Sequence, residues 1–300
     1  MKYPESLPRV AVVIVNYKGR EDTRECLQSL QELTYSNVCI YVVDQASDDG
    51  MPDMVRIEFP DAHVIENPVN NGFAGGNNVG IEAALKDGAE YVFLLNNDTT
   101  VAPTLLEPLI NVMQTDANVG VCGSLMLYHS DPDIVWSAGG KMGPMGESVM
   151  LHQSEAGRMV AEIGLTEVDF VVGCGLMTSK SVLERIGLLD EQYFLYYEEA
   201  DFCARVREAS LRVVTVPTSR LWHKVSRTTG TDSLLTLYYM RRNVLLYLSR
   251  HQSRRAVGRA VLDSFRLAAV WSVRGKKNRA AVVLRAVRDF ARSRFGPSHI

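Results

Sequence analysis

The chain has 300 residues, 46% of them hydrophobic, and a formal net charge of −3. That is an ordinary globular composition, enough for one large α/β domain or two small ones, and no stretch reaches the ~18 uninterrupted apolar residues of a membrane-spanning helix. Its five cysteines (Cys26, Cys39, Cys122, Cys174, Cys203) are scattered and never spaced as CxxC, which argues against a disulfide framework or a structural zinc site and for a reducing cytoplasm.

The opening MKYPESLPRV lacks the apolar core of a signal peptide. Val10–Val15 is a continuous β-branched run and predicts a buried strand. Glu21–Leu33 follows with helical spacing at Cys26, Leu27, Leu30 and Leu33. Val38–Val43 reads as a second strand ending at Asp44, and Ala62–Ile65 as a third. Asn71–Lys86 starts in glycine and asparagine and becomes helical. Tyr91–Leu95 is a strand that stops abruptly at Asn96-Asn97-Asp98, and Pro103–Met113 is a helix with proline in its first turn. This βαβαβ alternation predicts an α/β fold with a mainly parallel sheet between helices.

Residues 129–167 are glycine-rich and aperiodic, as expected of loops or a hairpin over one sheet edge. Ser179–Ile186 is a short capped helix stopped by Gly187. Glu198–Glu208 is another helix, with Asp201 and Arg205 as an i,i+4 pair. Leu211–Val216 is a strand closed by Pro217. From Asp232 the pattern is helical, and 254–294 reads as basic amphipathic helices. Residues 241–300 hold fifteen Lys and Arg against Asp263 and Asp289, a net +13, which leaves −16 on residues 1–240. A basic tail on an acidic body points to an anionic partner. The expected division is an α/β domain over 1–230 and a helical basic region over 231–300.

Each predicted strand of the first half ends in polar residues: Asn16-Tyr17, Asp44-Gln45 and Asn96-Asn97-Asp98. In open parallel sheets ligands bind outside the carboxyl ends of the strands. Asp44 suits a ribose hydroxyl or a pyrimidine N–H. Asp98, the one carboxylate of its triplet, suits a hard divalent cation that also holds phosphate oxygens. Each ending also reads as a plain loop start or helix cap. The segment 67–80, NPVNNGFAGGNNVG, permits close backbone approach ahead of a helix N-terminus. It has neither dinucleotide-fingerprint nor Walker spacing. Glu198 and Glu199 stand at a helix start behind three aromatic-rich positions, a setting that raises a carboxylate's pKa toward general-base work, although acids there also serve the helix dipole. His223 follows Trp222 one strand later and is acceptable to Mn²⁺.

Together the stretches VAVVIVNYKGRE, VVDQASDDG, ENPVNNGFAGGNNVGI, FLLNNDTTV, VDFVVGCGLM, GLLDEQYFLYYEEADFCARV, VPTSRLWHKVS and YYMRRN resemble the inverting family 2 glycosyltransferases of the GT-A fold. Within them they resemble the bacterial rhamnosyltransferase-like branch of cell-surface polysaccharide synthesis. The resemblance covers about residues 8–250. It implies that Asp44 binds the nucleotide base, with Asn16, Tyr17, Asn71, Gly72, Phe73, Gly76, Asn77, Asn96 and Asn97 around the nucleotide. It implies Mg²⁺ or Mn²⁺ on Asp98 and His223, and a base at Glu199, which stands where the family has Asp, or else at Glu198. Gln45 departs from the family's Asn. The implied partners are a nucleotide-diphosphate sugar such as dTDP-rhamnose and a glycan or polyprenyl-diphosphate-linked acceptor. The basic tail adds an anionic membrane surface, placing the protein peripherally on the inner face of the cell membrane, and no nucleic acid is expected. Two other classes remain in view: a nucleotidyltransferase, which should carry a glycine-rich basic loop where NYKGRED stands, and a non-catalytic sugar-nucleotide binder, against which Asp98, Glu199 and His223 argue.

Overall fold

The computed structural model describes residues 7–224 and 233–298. The apolar run Val10–Asn16 forms β1, followed by α1 (Arg20–Leu30), β2 (Val38–Gln45), α2 (Met51–Glu58), β3 (His63–Asn67), α3 (Gly72–Lys86) and β4 (Tyr91–Asn96). Strands β1, β2, β3 and β4 pair in parallel, with β1 between β2 and β4. Alternate β1 residues enter two cores: Val10, Val12 and Ile14 pack with α1 and α2, while Ala11 and Val13 pack with α3.

The second half is more irregular. Short β5 (Thr99–Val101) and α4 (Leu106–Thr115) lead to β6 (Val119–Tyr128), a ten-residue apolar strand that the reading above leaves unassigned. The glycine-rich stretch yields β7 (Val135–Ser137), a separate hairpin of β8 (Gly140–Met142) and β9 (Ser148–Met150), α5 (Gly157–Ile163) and the two-residue β10 (Thr166–Glu167). Next, β11 (Leu176–Ser179) inserts antiparallel between β4 and β6, so the sheet is mixed. Then come α6 (Lys180–Ile186), α7 (Glu198–Glu208) and β12 (Arg212–His223).

Pro217 does not close β12, contrary to the expectation. The strand runs on to His223, and its register against β6 slips between Val216 and Arg220. A bulge accommodates the proline because the bulged residues need no ladder hydrogen bond. This extension decides where His223 ends up. Strand β12 is parallel to β6, and β6 runs with β4, so the carboxyl end of β12 reaches the same rim as Asn96.

The tail forms α8 (Leu234–His251), α9 (Arg254–Val273) and α10 (Lys277–Ala291). Leu246 and Tyr247 of α8 enter the same buried cluster as Phe202 of α7 and Val213 of β12. The expected boundary at 230/231 lies outside the described residues. All five cysteines are free thiols.

Candidate active site

The parallel register aligns Asn16 with Asp44 and Val15 with Asn96, so three polar strand ends share one rim. Asn16 is fully buried there and its amide is saturated. Its Nδ2 donates to Asp44 Oδ1 (2.8 Å) and Ser47 Oγ (3.0 Å). Its Oδ1 accepts from the Gly19 N–H (3.1 Å), the Thr23 hydroxyl (3.0 Å) and Asn97 Nδ2 (3.1 Å). Asp44 Oδ2 accepts from the Ser47 N–H at 3.0 Å. Asp44 and Asn97 are thus parts of a rigid knot. Tyr17, beside it, is exposed, with Lys18 Nζ 5.3 Å from its ring centroid.

The glycine–asparagine segment is strapped to this rim by Gln45. Its Nε2 donates to the Gly72 carbonyl (3.0 Å), and its Oε1 accepts from Asn67 Nδ2 (3.2 Å) and the Asn71 N–H (3.0 Å). An Asn there would be a methylene short of this reach. A Cβ on Gly76 would stand 1.8 Å from Gln45 Nε2, and one on Gly72, at φ +73°, would stand 2.3 Å from the Phe194 carbonyl oxygen. These two glycines therefore have structural reasons to be glycine. Asn77 turns inward to the Phe73 carbonyl (2.8 Å), and the Phe73 N–H donates to the Phe194 carbonyl (2.7 Å).

Beyond β4, Asp98 Oδ1 meets His223 Nε2 at 3.0 Å, and the Asn96 amide reaches the same nitrogen at 3.3 Å. Burial would raise the Asp98 pKa, but the bond to His223 and its charge, with Lys224 behind, hold it below the ordinary value. Asn96 Oδ1 and His223 Nδ1 are buried without partners. Such orphans beside a carboxylate and an imidazole fit a cation. Among the described residues no cluster of three or more His, Cys, Asp or Glu forms a protein-only cage. Two protein ligands suit a dication that takes the rest of its shell from phosphate oxygens and water.

Leu176 of β11 lies opposite Leu94, so the 3-10 turn Gly173–Gly175 just before it sits on the rim beside Asn96. Burial first, then the Asp98 charge, push the Cys174 thiol well up. On its other side, a Cβ at Gly173 would lie 2.8 Å from the Phe73 ring and 3.8 Å from Glu199 Cβ. One turn therefore links the Asp98–His223 pair to the start of α7.

That start is strained. Phe194, Tyr196 and Tyr197 have φ of 65°, 69° and 76°, a left-handed region that costs a non-glycine residue about 1–2 kcal/mol. Tyr197 is the N-cap, and it turns the chain into Glu198 and Glu199. Glu198 is 3% exposed, while Glu199 is only partly buried, and each has one buried carboxylate oxygen without a partner. Burial lifts Glu199 to about 7 against the opposing N–H groups of Glu199 and Ala200. Burial, then the neighbouring Glu199 charge, push Glu198 well above its ordinary value. Asp201 differs: burial would raise it, but bonds to His251 and Arg205 hold it at about 2. It ties α7 to α8, a structural role.

A family model described as glycosyl transferase family 2 matches residues 11–187. The chain belongs to glycosyl transferase family 2. The low-salt glycan biosynthesis hexosyltransferase of Haloferax volcanii is 29% identical over 69% of this chain, which spans 64% of that relative's length. The N-acetylglucosaminyl-diphospho-decaprenol L-rhamnosyltransferase of Mycobacterium tuberculosis is 24% identical over 81% of this chain and 84% of its own. Among solved structures, a mannosyltransferase of Pyrobaculum calidifontis in complex with GDP-Man and Mn²⁺ superposes with a TM-score of 0.58. It is 15% identical, over 96% of this chain and 88% of that one. At that identity the likeness carries the fold alone, which is GT-A.

In this family 2 glycosyltransferase the sequence reading missed Thr23 and Ser47, whose hydroxyls complete the Asn16 knot, and gave no role to Arg242 and Asn243 within YYMRRN. A lone hydroxyl in the first turn of a helix, as at Thr23, or in a loop, as at Ser47, carries no sequence signal of its own. Replacing Asn16 by Ala strips hydrogen-bond partners from several buried groups at once, each orphan costing about 1–3 kcal/mol. Asn16→Ala is expected to lose about 2–3 kcal/mol in urea unfolding, well above an exposed-site Asn→Ala control such as Asn111→Ala.

Proposed function

We propose that this glycosyltransferase moves a sugar from a nucleoside-diphosphate donor to a glycan or lipid-linked glycan acceptor, with inversion at the anomeric carbon. The observation that carries the reading is the placement of Asp98–His223 and Glu199 on one sheet rim, joined through the Gly173–Gly175 turn. The knot around Asp44 and the exposed Tyr17 take the nucleoside: each Asp44 oxygen keeps a second lone pair for a base or ribose donor. Asp98 and His223 would hold Mg²⁺ or Mn²⁺, which when bound would supply positive charge to the departing diphosphate. Glu199 is the base in preference to Glu198, because Glu198 is buried away from any acceptor. The acceptor hydroxyl gives its proton to a Glu199 oxygen as its own oxygen bonds the anomeric carbon. The bond from that carbon to the diphosphate oxygen breaks on the opposite face.

A base must be ionised, so the acid limb of kcat/KM should lie near the Glu199 pKa of about 7. Activity then falls about tenfold per pH unit below it. Glu199→Gln is expected to lower kcat about 10²- to 10⁴-fold with little change in donor KM, and to abolish that limb. Near-normal transfer by this variant would remove Glu199 from the role.

Chelation should stop transfer and added Mn²⁺ should restore it. Asp98→Asn should need at least about tenfold more Mn²⁺ for half-maximal rate, since one full ligand charge is gone. An unchanged Mn²⁺ requirement would place the cation elsewhere.

The acceptor's setting is read from α9. Ala256, Ala260, Ser264 and Ala268 face inward, whereas Leu262, Phe265, Val270 and Val273 are exposed, Val273 to 89%. Arg255, Arg259, Arg266 and Arg274 are exposed on the same helix or at its end. No described helix is long and apolar enough to cross a membrane. An exposed face that interleaves apolar side chains with arginines suits the interface of an anionic bilayer, where each cation contributes about 1 kcal/mol. A lipid-linked acceptor would be met there, on the cytoplasmic side. The L-rhamnosyltransferase relative makes a rhamnosyl donor such as dTDP-rhamnose the first to try. The protein should sediment with phosphatidylglycerol vesicles at low salt but not with phosphatidylcholine. Phe265→Asp should weaken that binding about tenfold, by loss of one buried aromatic. Equal binding by the variant would clear α9 of this role.

A further inference from the structure

The strained segment before Glu198 does not hold itself. Its carbonyls are gathered by two adjacent, fully buried residues of α8, Arg242 and Asn243. Asn243 Nδ2 is shared among the carbonyls of Tyr193 (2.9 Å), Leu195 (2.8 Å) and Tyr196 (2.8 Å). Arg242 Nη2 donates to the carbonyls of Gln192 (3.1 Å) and Tyr193 (2.8 Å), and its Nη1 to that of Gly296 (2.7 Å). Arg242 Nε donates to Asn243 Oδ1 at 2.9 Å, which fixes the orientation of the amide.

The chemistry is specific. Besides the Tyr238 hydroxyl, this guanidinium donates to backbone carbonyls and the Asn243 amide, and its flat faces lie near the rings of Tyr238, Tyr239 and Phe295, 4.9 to 5.9 Å from their centroids. Burying a charge is costly unless every donor is used. A fold needing only to dock α8 would do so with apolar side chains, as Leu245, Leu246 and Leu248 do two residues and more further on. What the polar pair adds is a mould for carbonyls that point the wrong way for helix or strand. Those carbonyls belong to the residues that aim Glu198 and Glu199, and the Phe194 carbonyl in the same segment receives the Phe73 N–H, so the glycine segment is registered against it too.

We propose that Arg242 and Asn243 are positioning residues for the catalytic carboxylate: they hold residues 192–197 in the path, left-handed at Phe194, Tyr196 and Tyr197, that sets Glu199 on the rim. The proposal rests on the reading of Glu199 as base, and two independent measurements separate the two claims. In hydrogen exchange by mass spectrometry, Asn243→Ala should speed exchange in peptides covering 193–200, with β1, β2 and β4 unchanged. In kinetics the same variant should lose about 10- to 100-fold in kcat with less than threefold change in donor KM. It should add no further loss in a Glu199→Gln background, as expected when two groups act through one another. Arg242→Lys, which keeps the charge but not the fork, should show the same pattern more weakly, and it serves if Asn243→Ala does not fold.

Unchanged exchange over 193–200, or a fully additive loss in the Glu199→Gln background, would overturn the positioning role. If instead Glu199→Gln transfers normally, the base reading falls by itself. The exchange result still decides whether the pair moulds the segment.

Discussion

One buried amide organises this molecule. Asn16 ends the central strand of the parallel half, and its two donor hydrogens and its carbonyl oxygen make five hydrogen bonds. They join the ends of β1 and β2, the first turn of α1 and the residue after β4. A buried amide is costly unless satisfied, so each partner is constrained by the others. The register of β1 with β2 and β4 must be the observed one for the knot to close, since a one-residue slip would turn Asn16 into the opposite face. The loops of the rim start from this fixed point.

The two halves of the site are built by different physics. On the Asp44 and Asp98 side, side chains stand on strand ends and are locked by short hydrogen bonds. On the Glu199 side the backbone itself is bent into a path that L residues disfavour, and groups from elsewhere in the chain hold it. The first arrangement is stiff by default. The second depends on α8, more than forty residues further along the sequence.

The same division appears in the electrostatics. Asp98, beside His223 and Lys224, is held below its ordinary pKa and stays charged, as a cation ligand must. Glu199, with an unpartnered buried oxygen, is lifted to about 7, where a base both accepts and releases a proton readily. The roles proposed for these two carboxylates differ because their surroundings differ. Asp201, two residues from Glu199, is held at about 2 by His251 and Arg205 and stays structural.

Much of this was legible in the chain. Helical patterning marked α1, α3 and α4, continuous apolar runs marked β1, β2 and β4 as strands buried on both faces, and a shorter run marked the half-exposed edge strand β3. The polar strand endings stood out against those runs, and the Glu198-Glu199 pair stood out at a helix start behind aromatic residues. Strand β6 was as readable, and its omission reflects no physical obscurity. Pro217 misled, because a proline stops a strand unless a bulge absorbs it, and whether pairing resumes beyond the bulge, as it does at Arg220 opposite Leu125, depends on the distant partner strand. The meeting of His223 with Asp98 was implied only through the family resemblance, and the saturation of Asn16 and the moulding of 192–197 by Arg242 and Asn243 were not readable at all. Local sequence determined the elements and the chemistry at their ends, since these depend on neighbours within a few residues. Only the tertiary structure decided which ends meet and which strained turn is held, since those energies lie in contacts between residues as far apart as Asp98 and His223.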